Sequence, residues 1–140
     1  MARFQAEHVL EGVHCTIAIH TPASDVIVLR ITGWDIGDLG DRPFAALREV
    51  LAESVAAPDR LQLFIDAREA QGPSVDVSAH WAAWLREHKE RFRYVNMLTR
   101  SKFVQLTADF VQRFAQMGER MRIFTEAAAF DTALALATAA

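Results

Sequence analysis

Asp66 is the first side chain with the means to do chemistry. It follows the apolar run Leu61-Gln-Leu-Phe-Ile65, and Arg68 and Glu69 come just beyond it, after Ala67. A carboxylate at the end of a buried strand is partly desolvated, so its pKa can move and it can act as acid, base or phosphoacceptor. An Asp at that place more often accepts backbone hydrogen bonds from the turn that follows, and this is the reading adopted. The histidines do not assemble a metal site. His14 and His20 stand six residues apart on one strand, roughly 20 Å in extended chain, and His80 and His88 lack the i, i+4 spacing of a chelating helical pair. Asp35, Asp38 and Asp41, with Gly37 and Gly40 between them, have calcium-type ligands at the wrong spacing for an EF-hand and are expected to form a solvated capping loop. No glycine-rich phosphate loop follows a strand, no Ser, His and Asp constellation is legible, and the single cysteine, Cys15, falls in mid-strand. Catalytic residues, metals and cofactors are therefore not expected. Among the tryptophans, Trp34 lies in a polar loop, where it either folds over the core or meets a partner. Trp81 and Trp84 share a helical arc with Val77 and Leu85, which suits a core and would also suit the wall of a ligand pocket.

These side chains must be positioned by an alternating set of elements. Val13, Cys15, Ile17 and Ile19 alternate with His14, Thr16, Ala18 and His20, the period of a half-exposed strand. A turn at Thr21-Pro-Ala-Ser24 leads to a more deeply buried antiparallel partner over 25–32, and an extra strand is expected near Phe4 to Leu10. The glycines of 33–40 make a loop. Asp41 is placed to cap a helix with Pro43 in its first turn and a buried stripe of Phe44, Leu47, Leu51 and Val55. After the strand 61–65, a Gly72-Pro73 turn and Ser74 or Asp76 start a second helix whose arc of Val77, Trp81, Trp84, Leu85 and His88 faces the sheet. A strand over 92–98 follows. Ser101 then starts a third helix with Phe103, Leu106, Phe110, Phe114 and Met117 predicted inward and Gly118 at its stop. A strand over 121–124 and a helix capped by Thr125, with Phe130, Ala133, Leu134 and Ala137 inward, complete the chain. The fold class is α/β: an antiparallel hairpin, then alternating strands and about four helices covering a mixed sheet.

Composition sets wide limits. A chain of 140 residues is most simply one domain, 1–140, large enough to bury its own core. Its apolar fraction of 51% and charged fraction of 24% are those of an ordinary globular protein. A net charge of -3 gives no basis for nucleic acid binding, and the basic run from Arg86 to Lys102 is interrupted by Glu87 and Glu90. One cysteine permits no internal disulfide. No apolar stretch approaches the ~20 residues of a membrane span, and the first residues lack the run of a signal peptide, so a cytoplasmic location is expected.

The element order, together with the strand Leu-Gln-Leu-Phe-Ile-Asp ending in an acid before a loop and helix, resembles the STAS domain, the fold of the anti-anti-sigma factors, over nearly the whole chain. It is most similar to the divergent STAS-like branch, in which Gly33 closes the hairpin strand and Arg122-Ile-Phe-Thr-Glu-Ala-Ala-Ala-Phe-Asp-Thr-Ala-Leu134 supplies the last strand and helix. The resemblance implies a non-enzymatic regulatory module that binds a protein partner. In the best-known members the switch is phosphorylation of a Ser in an Asp-Ser-x-Gly loop at the start of the helix after the central strand. Here that loop reads Ala70-Gln-Gly-Pro-Ser-Val-Asp-Val-Ser-Ala79, without the motif. Ser74 and Ser78 lie in the corresponding neighbourhood, where a phosphate would meet free backbone N–H groups and the helix dipole, although the stronger reading makes Ser74 a cap and Ser78 a first-turn residue.

Two functions follow. The preferred one is a regulatory module presenting the segment 61–81, with Asp66, Arg68, Ser74 and Ser78 at the partner or switch loop. The alternative is a carrier or sensor of a small apolar, lipid-like ligand, with Trp34, Trp81, Trp84, Phe103 and Phe110 as pocket wall or interface. Homodimerisation is compatible with both.

Overall fold

The computed structural model describes residues 8–54 and 56–139, the side chain of Phe103 excepted. The expected positions Phe4 and Val55 therefore lie outside the described residues. Six strands, β1 (His8–Glu11), β2 (Cys15–Ala23), β3 (Val26–Gly33), β4 (Leu61–Ala70), β5 (Phe92–Thr99) and β6 (Met121–Phe124), form one sheet in sequential order. β1, β2 and β3 pair antiparallel, and β3 through β6 pair parallel. Helices α1 (Arg42–Glu53), α2 (Val75–His88) and α3 (Lys102–Phe114) make the three parallel crossovers, and α4 (Ala127–Ala139) follows β6. Because the parallel strands advance in one direction and such crossovers are right-handed, α1, α2 and α3 all fall on one face. Only the terminal helix is free to cover the other face.

Strand alternation sorts the side chains between two cores. Ile17, Ile19, Leu29, Leu63 and Ile65 pack under α1, α2 and α3 with Leu47, Trp81, Leu85 and Val111. Val26, Val28, Phe64 and Leu98 pack under α4 around Phe130, which is fully buried.

Several boundaries differ from the sequence expectation for identifiable reasons. Val13 is 86% exposed, because β2 begins only at Cys15 and Gly12 N donates across the bend to the Cys15 carbonyl at 2.8 Å. β2 runs through Pro22 to Ala23, leaving Ser24 and Asp25 as the turn, and the register shift between His20 and Ala23 absorbs the proline. His20 is buried at 4% exposure rather than half-exposed. Asp41 precedes α1 in a helical conformation and makes no side-chain cap. β4 continues five residues past Ile65 because Glu69 and Ala70 still pair with Thr32 and Gly33 of β3. Asp66 is therefore in mid-strand and not at its end.

The largest correction concerns α3. Leu106, Phe110 and Phe114, predicted inward, are exposed at 68%, 41% and 49%. Val104, Ala108, Val111 and Ala115 face the core instead. Beneath α3 the room is already taken by Trp81 and Leu85 of α2, and small residues let the helix approach closely.

Candidate functional site

The C-terminal ends of β3 and β4 meet the start of α2, the region where sites gather in parallel α/β sheets. The loops after the two strands are tied together by their backbones: Gln71 N donates to the Gly33 carbonyl at 2.8 Å and Ser74 N to the Asp35 carbonyl at 2.9 Å. Gly33 turns the corner at φ +85°, and a side chain there would collide with the His14 carbonyl. Gly72 is required for a second reason: a Cβ would strike the indole of Trp34, which lies against it. Trp34 is thus half-buried on a backbone platform, with 48% of its surface exposed. Ile36 and Val75, exposed at 48% and 80%, flank the same loops. Asp35, Ile36, Asp76, His80 and Trp81 line a surface depression of about 340 Å³ between the 34–41 loop and α2.

Ser74 is the N-cap of α2; its hydroxyl accepts from Val77 N at 3.3 Å. Ser78 is only 4% exposed, and its hydroxyl donates to the Ser74 carbonyl at 2.9 Å. The two serines are therefore not equivalent, since Ser74 stands at the rim and Ser78 is enclosed. The aspartates of the glycine loop also divide. Asp35 is 5% exposed, and burial raises its pKa despite the hydrogen bond from Gly37 N. Asp38 accepts from His14 N at 2.9 Å, and that bond lowers its pKa. Asp35 is thus structural and buried, in contrast to the solvated loop expected.

Asp66 and Arg68 lie on the opposite face of the sheet, away from Ser74 and Ser78. Asp66 is 8% exposed. Its Oδ1 accepts from Arg68 N at 3.2 Å and from Arg68 Nε at 3.0 Å, while Arg30 Nε stands 3.8 Å from Oδ2. Arg68 also binds Asp131 of α4. Arg68 is thereby held between Asp66 of β4 and Asp131 of α4, and the cluster ties the strand to the helix. Arg30 and Asp131 were not singled out from sequence. Asp131 was findable: it is the sole charged residue in the Ala-rich stretch that forms α4.

The described side chains expected to wall an apolar pocket do not enclose one together. Trp81, with Ile65, Leu85, Ala108 and Val111, lines a cavity of about 40 Å³. That is room for about one water, far below the several hundred Å³ of a ligand pocket. Trp84 packs instead against His88, ring centroids 4.5 Å apart, and against Trp81 at 6.2 Å. Phe110 faces outward and stacks on Phe114 at 5.5 Å, and the side chain of Phe103 lies outside the described residues. Among the described residues no cluster of His, Cys, Asp or Glu could hold a metal ion, and no helix is long and apolar enough to cross a membrane.

No protein-family model matches the sequence, and no curated protein does. Solved structures do match. An uncharacterized protein of the DUF3478 family from Shewanella loihica, described as having a SpoIIAA-like fold, superposes with a TM-score of 0.61 at 14% identity, covering 94% of this chain and 99% of its own. An anti-sigma factor antagonist from Mycobacterium paratuberculosis gives 0.59 at 16% identity, over 86% of this chain and 94% of its own. The anti-sigma factor antagonist SpoIIAA in its unphosphorylated form gives 0.53 at 15% identity, over 85% of this chain and 96% of its own. With a six-stranded mixed sheet and four helices in the same arrangement, this chain has the SpoIIAA-like, or STAS, fold.

Proposed function

We propose that this chain is a non-enzymatic cytoplasmic regulatory module that binds a protein partner through the loops 34–36 and 71–76 and the first turn of α2. The observation that carries the reading is the exposed indole of Trp34, held on Gly72 at the C-terminal ends of the parallel strands. A rigid, half-exposed tryptophan flanked by Ile36 and Val75 has the composition of an interface hot spot. Two structures of the same fold are those of anti-sigma factor antagonists, which supports a protein as the ligand. The charged cluster of Asp66, Arg68 and Asp131 braces the sheet behind these loops. Ser74 is the candidate switch position. A phosphate there would meet the N-terminus of α2 and place two negative charges beside the apolar rim. The carrier reading finds little support in a cavity of about 40 Å³.

The test begins with capture of the tagged chain in its own cells and identification of the bound protein, followed by calorimetric titration of the purified pair. Trp34→Ala is expected to weaken binding at least about 30-fold, the loss of a hot spot, with the fold intact by circular dichroism. Binding that ignores both Trp34→Ala and Val75→Asp would move the interface elsewhere. A reproducible small molecule released on denaturation, with no protein captured, would reject the regulatory reading.

A further inference from the structure

The outer face of α3 presents an apolar ridge that nothing among the described residues covers. At about 100° per residue, Leu106, Phe110 and Phe114 fall within an arc of about 80° centred on Phe110. They are 68%, 41% and 49% exposed, and the two rings are stacked 27° from parallel. Exposed apolar residues scattered singly need no explanation, but three in register along one helix do. The flanks of the ridge are not alike. Arg113 and Asp109 lie on one side, within about 60° of Leu106 on the helical wheel, and Thr107 lies on the other. Asp109 and Arg113 are one turn apart, yet no ion pair engages either within 4.0 Å among the described residues.

We infer that the occupant of this ridge is a second copy of the same chain, packed as an antiparallel α3–α3 pair about a two-fold axis level with Val111. This surface is separate from the Trp34 rim and does not depend on the function proposed for it. A two-fold axis keeps the same flank of both helices on the same side of the seam. Asp109 and Arg113 are two residues either side of Val111, so Asp109 of each copy stands opposite Arg113 of the other, and the pair forms twice. The same register places each Phe110 ring between Phe110 and Phe114 of the other copy, the interdigitation that close helix packing requires. The flank is thus complementary to itself only when the two helices run in opposite directions. In a parallel pair the two-fold axis runs along the helices and sets this flank against the Thr107 flank of the other copy, so Asp109 and Arg113 would not meet. The exposed area of the three side chains is on the order of 300 Å² per copy, less than half the ~800 Å² that a standard interface buries on each side. The dimer is accordingly a weak, concentration-dependent one.

Sedimentation velocity of the full chain over a range from micromolar to millimolar tests the inference. A monomer–dimer equilibrium is expected, with Phe110→Asp raising the dissociation constant by about 30-fold or more. Charge exchange fixes the register. Asp109→Arg and Arg113→Asp should each weaken the dimer about 5-fold or more, and the double variant should restore it, since the attraction returns with its signs reversed. All three positions are at or near the surface, and circular dichroism confirms that the variants keep the fold. A chain that stays monomeric throughout, a dimer indifferent to Phe110→Asp, or a double variant no tighter than the singles would each overturn the inference. The first of these results would assign the ridge to a different protein or to a lipid surface.

Discussion

The thiol of Cys15 is 3% exposed, and burial, followed by the charges of Asp35 and Asp38, pushes its pKa up from 9.0 to about 12. The sign of the pH effect follows. The folded state holds the proton more tightly than the unfolded state does, so the contribution is complete below pH 9 and is lost as pH rises toward 12. Denaturant titrations should show stability falling across that window by at most about 1.4 kcal/mol per pH unit, and Cys15→Ala should flatten the slope. Native protein at pH 8 should resist alkylation until denaturant is added. At Ser74 cap and switch can be separated. Ser74→Ala removes the acceptor for Val77 N and should cost about 1 kcal/mol in thermal or chemical unfolding. Ser74→Asp keeps a good cap and adds charge, so it should preserve stability while weakening partner binding. Equal stability loss in both variants would show that the position is not acting as a cap. The burial of Asp35 was not legible, because a carboxylate in a Gly-rich stretch reads as solvated until the loop is seen to enclose it.

Among the elements, α3 is the informative case. It carries two apolar stripes, one of large residues and one of small, and the period alone does not say which is inward. The sheet and α2 leave a shallow space, so the small stripe wins. Val111→Ala should therefore cost about 1–3 kcal/mol, whereas Leu106→Ser should stay within about 0.5 kcal/mol, in urea unfolding of each variant. The opposite ranking would put the large stripe back in the core. Capping residues were read more directly: Ser74 and Ser101 both accept from the N–H three residues on, Val77 and Val104, because the chemistry of an N-cap is local. Strand ends were less direct. β4 reaches Ala70 only because β3 offers partners to that point, and pairing partners are not a property of the strand's own residues.

At the scale of the whole molecule, one sheet is shared by two cores of unequal size, the smaller held by a single helix. Phe130 meets Phe64 and Phe124 edge-on at 5.7 and 5.8 Å. Phe130→Ala should cost about 3–5 kcal/mol, measured by denaturant unfolding, with loss of α4 docking seen as early hydrogen exchange of the amides beneath it. An unchanged midpoint would mean that α4 contributes little. The sequence by itself determined the order and type of nearly every element, the α/β class, the Ser74 and Ser101 caps and the resemblance to the STAS fold, because these rest on local propensity, periodicity and chain order. Only the tertiary structure decided which stripe of α3 is buried, that Asp66 is a mid-strand clamp to α4, that Ser78 is enclosed while Ser74 is at the rim, and that Trp34 is held out on Gly72. Each of those depends on what stands opposite a side chain across the sheet or between loops, and contacts between residues far apart in the chain leave no period or spacing to read.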